Sequence, residues 1–139
     1  MNQSKLIILS LTSCLLFSCS KYEDGPVISL RTKKARLTGT WNVEKINGTA
    51  PAFGEQWEFE FENDGDYTET QIFMSGNLST TSGEWEFKED GEDLYLKHAE
   101  GADYYNINRL TMDELTLESF GYDSNIGTSG WIEYEFEKD

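Results

Sequence analysis

Glu55 to Glu62 reads Glu-Gln-Trp-Glu-Phe-Glu-Phe-Glu, with rings at Trp57, Phe59 and Phe61 and carboxylates at Glu58, Glu60 and Glu62. Successive side chains of an extended strand point to opposite faces. As a strand, this stretch sorts its rings from its charges; as a helix, it would scatter both around the axis. It therefore predicts a half-buried β-strand, aromatic on one face and acidic on the other.

The same pattern recurs along the chain. Leu37 to Ile46 is the first strand and the one the others return to, with Trp41 and Val43 on one face and Asn42 and Glu44 on the other. After Glu55 to Glu62, Asn63-Asp64-Gly65 supplies a hairpin turn, because Asn, Asp and Gly tolerate positive φ. Further strands are expected at Tyr67 to Met74, Ser79 to Lys88, Leu94 to Lys97, Tyr104 to Leu110, Glu114 to Phe120 and Trp131 to Glu137. Trp85 and Phe87 face away from Glu84, Glu86 and Lys88, and Ile132, Tyr134 and Phe136 share a face. Phe120 to Gly130 is left as a long contact loop displaying Tyr122 and Ile126. Eight short strands joined mostly by tight turns predict an all-β, eight-stranded antiparallel up-and-down barrel, which leaves no exposed edges.

From residue 37 onward the chain has five cations against 24 acids, within a formal net charge of -15. Such a surface repels phosphate backbones, so nucleic acid is excluded as a partner. The two cysteines, Cys14 and Cys19, both precede the barrel, which has no disulfide, thiolate metal site or thiol nucleophile of its own. The single histidine, His98, sits at a strand end and is read as a surface residue. Carboxylates are too abundant for any pair to single out a catalytic site. Asn63 to Asp66 and Glu89 to Asp93 are acidic enough to interest calcium, but lack EF-hand ligand order and read as hairpin turns. No catalytic residue, metal or cofactor is assigned.

Residues 1–18 place Lys5 before the apolar run Leu6 to Phe17, as in a secretory signal peptide. Leu16-Phe17-Ser18-Cys19 resembles the lipobox of bacterial lipoproteins, which implies that Cys19 is acylated (palmitate among the chains) and becomes the mature N-terminus. Leu11-Thr12-Ser13-Cys14 has the same form but would leave too short an apolar core. Residues 19–36 then form a tether, and Lys21-Tyr22-Glu23-Asp24 behind the cysteine reads as a hydrophilic spacer or a surface-export signal. The expected location is the outer membrane, lipid-anchored. Arg31, Lys33, Lys34 and Arg36 gather beside a short helical turn that Ser29 is placed to cap; they face either lipopolysaccharide phosphates or the acidic domain.

Gly39-Thr40-Trp41 resembles the Gly-x-Trp signature of lipocalins. Together with Trp57-Glu58-Phe59, Asp64-Gly65-Asp66-Tyr67, Gly83-Glu84-Trp85-Glu86-Phe87 and Leu110 to Leu117, it is similar to the lipocalin-like domains of Gram-negative surface lipoproteins over residues 37–139. The resemblance implies a calyx, lined by Trp41, Trp57, Phe59, Tyr67, Trp85, Tyr105, Arg109 and Tyr134, that takes a small, largely apolar or anionic amphiphilic ligand without catalysis. Lipocalins place an arginine from the last strand over the first-strand tryptophan. Lys138 is the only cation here in that region, and Arg36 could approach from the other side. Arg109 shares a parity with Tyr105 and Ile107; facing inward it would need an anion, facing outward an acid of the exterior. A filled interior that meets a protein or glycan through loops is the alternative.

Overall fold

The computed structural model describes residues 32–123 and 127–139. The signal segment, Cys14, Cys19, most of the tether with Ser29, and Ile126 lie outside the described residues, as does the Tyr122 side chain. A short helix α1 (Lys33–Leu37) leads into β1 (Gly39–Ile46), β2 (Gln56–Phe61), β3 (Asp66–Ile72), β4 (Leu78–Lys88), β5 (Asp93–His98), β6 (Gly101–Leu110), β7 (Glu114–Asp123) and β8 (Thr128–Lys138). Every strand pairs antiparallel with its sequence neighbour, and β8 returns to pair with β1, closing an eight-stranded barrel.

The alternation does what the sequence demands of it. Phe59 and Phe61 of β2 are buried while Glu60 between them is exposed. Phe59 meets Phe136 of β8 edge-on at 5.5 Å, and Phe61 meets Trp85 of β4 at 6.0 Å. Leu94, Leu96, Ile107, Leu110, Leu115 and Leu117 complete the core from β5, β6 and β7.

One end of the barrel is stoppered by α1. Thr32 caps the helix by accepting from the Ala35 amide at 3.1 Å, a role the sequence had suggested for Ser29 in a turn slightly upstream. Leu37 is buried, and its carbonyl accepts the Trp41 indole N–H at 2.7 Å. Lys138 occupies the place of the lipocalin arginine: its ammonium lies 4.9 Å from the Trp41 ring centre and donates to the carbonyls of Arg36 (2.8 Å) and Thr38 (2.6 Å). Gly39 makes room for it. A Cβ there would stand 2.6 Å from the Lys138 Cε, and the residue's φ of +128° also favours glycine. The Gly-x-Trp pattern is thus the footprint of a lysine stem lying over an indole. The basic cluster docks on this same end, but on rings and carbonyls: Lys34 lies 5.7 Å from the Trp85 ring centre, and Arg36 donates to the Leu110 carbonyl at 3.1 Å.

Three expectations are corrected. β7 and β8 continue to Asp123 and from Thr128, with Gly121 opposite Gly130, so most of the expected Phe120–Gly130 loop is paired strand. A bulge in β6 shifts the register between Ile107 and Arg109. Arg109 therefore leaves the inner face that Tyr105 and Ile107 share and takes the outward alternative, paired with Glu114 at 2.6 Å, so only its role as a lining residue is lost, while Leu110 takes the inward position. His98 is not a surface residue. Its side chain is 16% exposed and Nε2 lies 3.3 Å from the Asp103 carboxylate.

Candidate functional site

At the end away from α1 the wall of the barrel divides. β6 and β7 pair only from Asn106 to Leu110 and from Leu115 to Glu118. Beyond that, Ala102 to Tyr105 pair with β5 and Ser119 to Gly121 with β8, so two strand edges face each other across a gap. Small inward residues on β7, Ser119 and Gly121, leave the space. The gap is a cleft of about 560 Å³ lined on the inner side by Asp103, Tyr105, Ser119, Ile132 and Tyr134. Small-molecule sites begin at about 300 Å³. Its outer lip carries Phe120 and Trp131, 66% and 59% exposed, packed edge-on at 5.6 Å, with Tyr104 opposite.

Behind the cleft the barrel interior turns polar. Glu69 shares the inner face of β3 with Tyr67 and accepts the Trp57 indole N–H at 2.7 Å. His98 and Asp103 enter from β5 and β6. The Tyr67 ring lies against Gly83, where a Cβ would be 3.0 Å from its Cε1, and register places His98 on the far side of that glycine. Tyr67 is 1% exposed, and its buried hydroxyl has no hydrogen-bond partner. Such a group is costly unless a ligand or solvent answers it.

Burial and the negative charges of Glu69 and Asp103 push the Tyr67 phenol up to about 12. Burial, then Asp103, likewise raises Tyr105. Both phenols therefore stay protonated at neutral pH and act as donors. Burial raises Glu69 above the usual glutamate range, an effect opposed by the Trp57 hydrogen bond. The arrangement suits recognition: protonated phenols, one largely buried and one half-exposed carboxylate, and rings, with no activated nucleophile among them.

The residues expected to line a calyx fall into two sets. Trp41, Phe59, Trp85 and the ring of Tyr67 are buried in the lower packing, where the Trp85 indole N–H donates to the Glu62 carbonyl at 3.0 Å, while the Tyr67 hydroxyl lies within electrostatic reach of Glu69 and Asp103 above it. Trp57, Tyr105 and Tyr134 form the layer next to the cleft, with Tyr134 edge-on to Trp57 at 5.4 Å and to Tyr105 at 6.1 Å. Arg109 belongs to neither, and Cys19 lies outside the described residues. Asp103 and Ser119, which line the cleft, and Glu69 and His98 on the inner face were not anticipated. The Tyr67–Glu69 parity was the available signal for Glu69. Among the described residues no group of three or more His, Cys, Asp or Glu side chains is placed to hold a metal.

A profile of the lipocalin-like domain matches residues 37–117, more than half of the chain. The chain belongs to the lipocalin-like domain family. The crystal structure of a lipocalin-like protein from Bacteroides uniformis superposes with a TM-score of 0.54 at 18% identity, covering 75% of this chain and 99% of that one. An NMR structure of a protein from Bacteroides uniformis gives 0.55 at 19% identity, covering 76% and 90%. Bovine odorant-binding protein in complex with a selenium-containing odorant gives 0.50 at 18% identity, covering 83% and 78%. No curated protein matches the chain by sequence. At these identities the structural likeness is one of fold, and the lipocalin-like barrel is common to all three.

Proposed function

We propose that this lipocalin-like protein is a lipid-anchored lipoprotein of the outer membrane that binds a small, largely apolar molecule and does not catalyse its conversion. The observation that carries the binding reading is the cleft between β6 and β7, which leads from solvent to Tyr105, Ile132 and Tyr134. An anionic head on that molecule loses its partner, because Arg109 is committed to Glu114 on the outside. Displacement of Nile red by candidate hydrophobes tests the reading. Ser119→Trp, which fills the cleft, should abolish dye uptake at an unchanged melting temperature; uptake as in the wild type would place binding elsewhere.

Anchoring is proposed from Leu16-Phe17-Ser18-Cys19. A cysteine carrying several acyl chains stays in the membrane, since each buried methylene contributes about 0.8 kcal/mol. Cys19→Ala should shift the protein from the detergent phase to the aqueous phase, whereas Cys14→Ala should not. A second reading, contact with a protein or glycan, is favoured by the exposed Phe120–Trp131 pair at the lip of the cleft.

A further inference from the structure

The ligand-binding reading leaves open what the polar end of the cleft recognises. Asp103 lines the cleft itself, and Glu69 stands behind it on the inner face. Among the described residues neither meets an arginine or lysine: Glu69 holds an indole N–H, and Asp103 faces His98. A half-desolvated pair of carboxylates disfavours an anion entering between them and favours a cation. The Tyr67 hydroxyl is the independent sign that something belongs there. It is buried and unpartnered, and it lies within electrostatic reach of both carboxylates. Its oxygen can accept from an N–H donor, as can the carboxylates. Tyr105 and Tyr134 add ring faces beside the same space, and a desolvated cation gains from them.

We infer that the cleft selects an amphiphile with a protonated amine as its head group, the ammonium held by Asp103 and Glu69 and the apolar body lying along Tyr105, Ile132 and Tyr134. This rests on the ligand-binding reading and specifies its chemistry. The acidic exterior attracts any cation at long range, so the contrast must be local. Screening by salt at physiological ionic strength suppresses the exterior contribution far more than the interior one.

The test is calorimetric titration of the mature chain with octylammonium, octanoate and octanol at physiological salt, well above the usual imidazole pKa. One charge-assisted contact in such a site corresponds to about tenfold in affinity, so octylammonium should bind about tenfold or more tighter than octanoate. Asp103→Asn with Glu69→Gln should bring the two close to parity, while the outer-face Glu60→Gln should leave the preference intact. Glu69→Gln keeps an acceptor for the Trp57 indole, and Asp103 is half-exposed, so both variants should fold; circular dichroism checks this. Octanoate binding as tightly as octylammonium, or a preference that survives the double variant, overturns the inference. Octanol binding with no amine preference overturns the head group alone and leaves the binding reading intact. Absence of binding by all three removes both.

Discussion

The two ends of this barrel are built from the same kinds of side chain and put them to opposite uses. At the α1 end the rings are sealed: the Trp41 and Trp85 indole N–H groups end on backbone carbonyls, and Lys138 and Lys34 lie over the rings. At the far end the Trp57 indole ends on a carboxylate, the Tyr67 hydroxyl ends on nothing, and the wall parts between β6 and β7. Main-chain acceptors are fixed by the sheet and helix, so the first end is rigid by construction. Side-chain acceptors with spare capacity make the second end able to receive a guest. If the division is real, substitutions at the two ends should separate stability from binding.

The largest effect belongs to Trp41. It is fully buried under α1, and Trp41→Ala should cost about 3–5 kcal/mol, a large share of the stability of a small domain. Denaturant midpoints measure it. An almost unchanged midpoint would show that the stoppered end does not hold the barrel together.

How far the sequence foretold each end follows from how the two are made. The stoppered end and the strand order could be read because strict alternation, as in Trp57 to Glu62, leaves one choice of inner face. Lys138 was also visible as the only cation of the last strand, with Arg36 as the other candidate to cover Trp41. Alternation failed at Arg109 because one bulge residue inverts the faces beyond it, and no local signal marks the bulge. Phe120 to Gly130 read as loop because glycine and serine weaken strand propensity, yet cross-strand pairing with Gly130, Ser129 and Thr128 overrides it. The cleft is a missing pairing, which is a property of two distant segments together. His98 looked exposed at a strand end because its partner, Asp103, arrives from the next strand.

An intermediate effect is expected for Lys138→Met. The aliphatic stem is kept, so packing against Gly39 persists, while the ammonium is lost from the Arg36 and Thr38 carbonyls and from the Trp41 ring. Loss of a charge-assisted contact to backbone and ring should cost about 1–2 kcal/mol. Ligand affinity should not change, since the change lies at the sealed end. A variant as stable as the wild type would mean that α1 and the first strand are held by packing alone; altered binding would mean that the ends are coupled.

The smallest and most diagnostic effect concerns Glu69. Burial raises its pKa first of all, with Asp103 adding to the shift and the Trp57 hydrogen bond and His98 opposing it. A carboxyl whose folded pKa lies above its unfolded value keeps its proton longer in the folded protein. Stability from this group is then present at low pH and is lost as pH rises from the ordinary glutamate range through the raised value. Glu69→Gln removes that dependence while its amide oxygen still accepts from Trp57. The variant should therefore melt above the wild type at neutral pH, with the difference closing as pH falls below the ordinary glutamate range. Melting temperatures of both proteins measured across this range decide it. A wild type that gains on the variant as pH rises would mean that Glu69 is already compensated by a positive charge in the free protein, and the open end would then be as self-satisfied as the closed one.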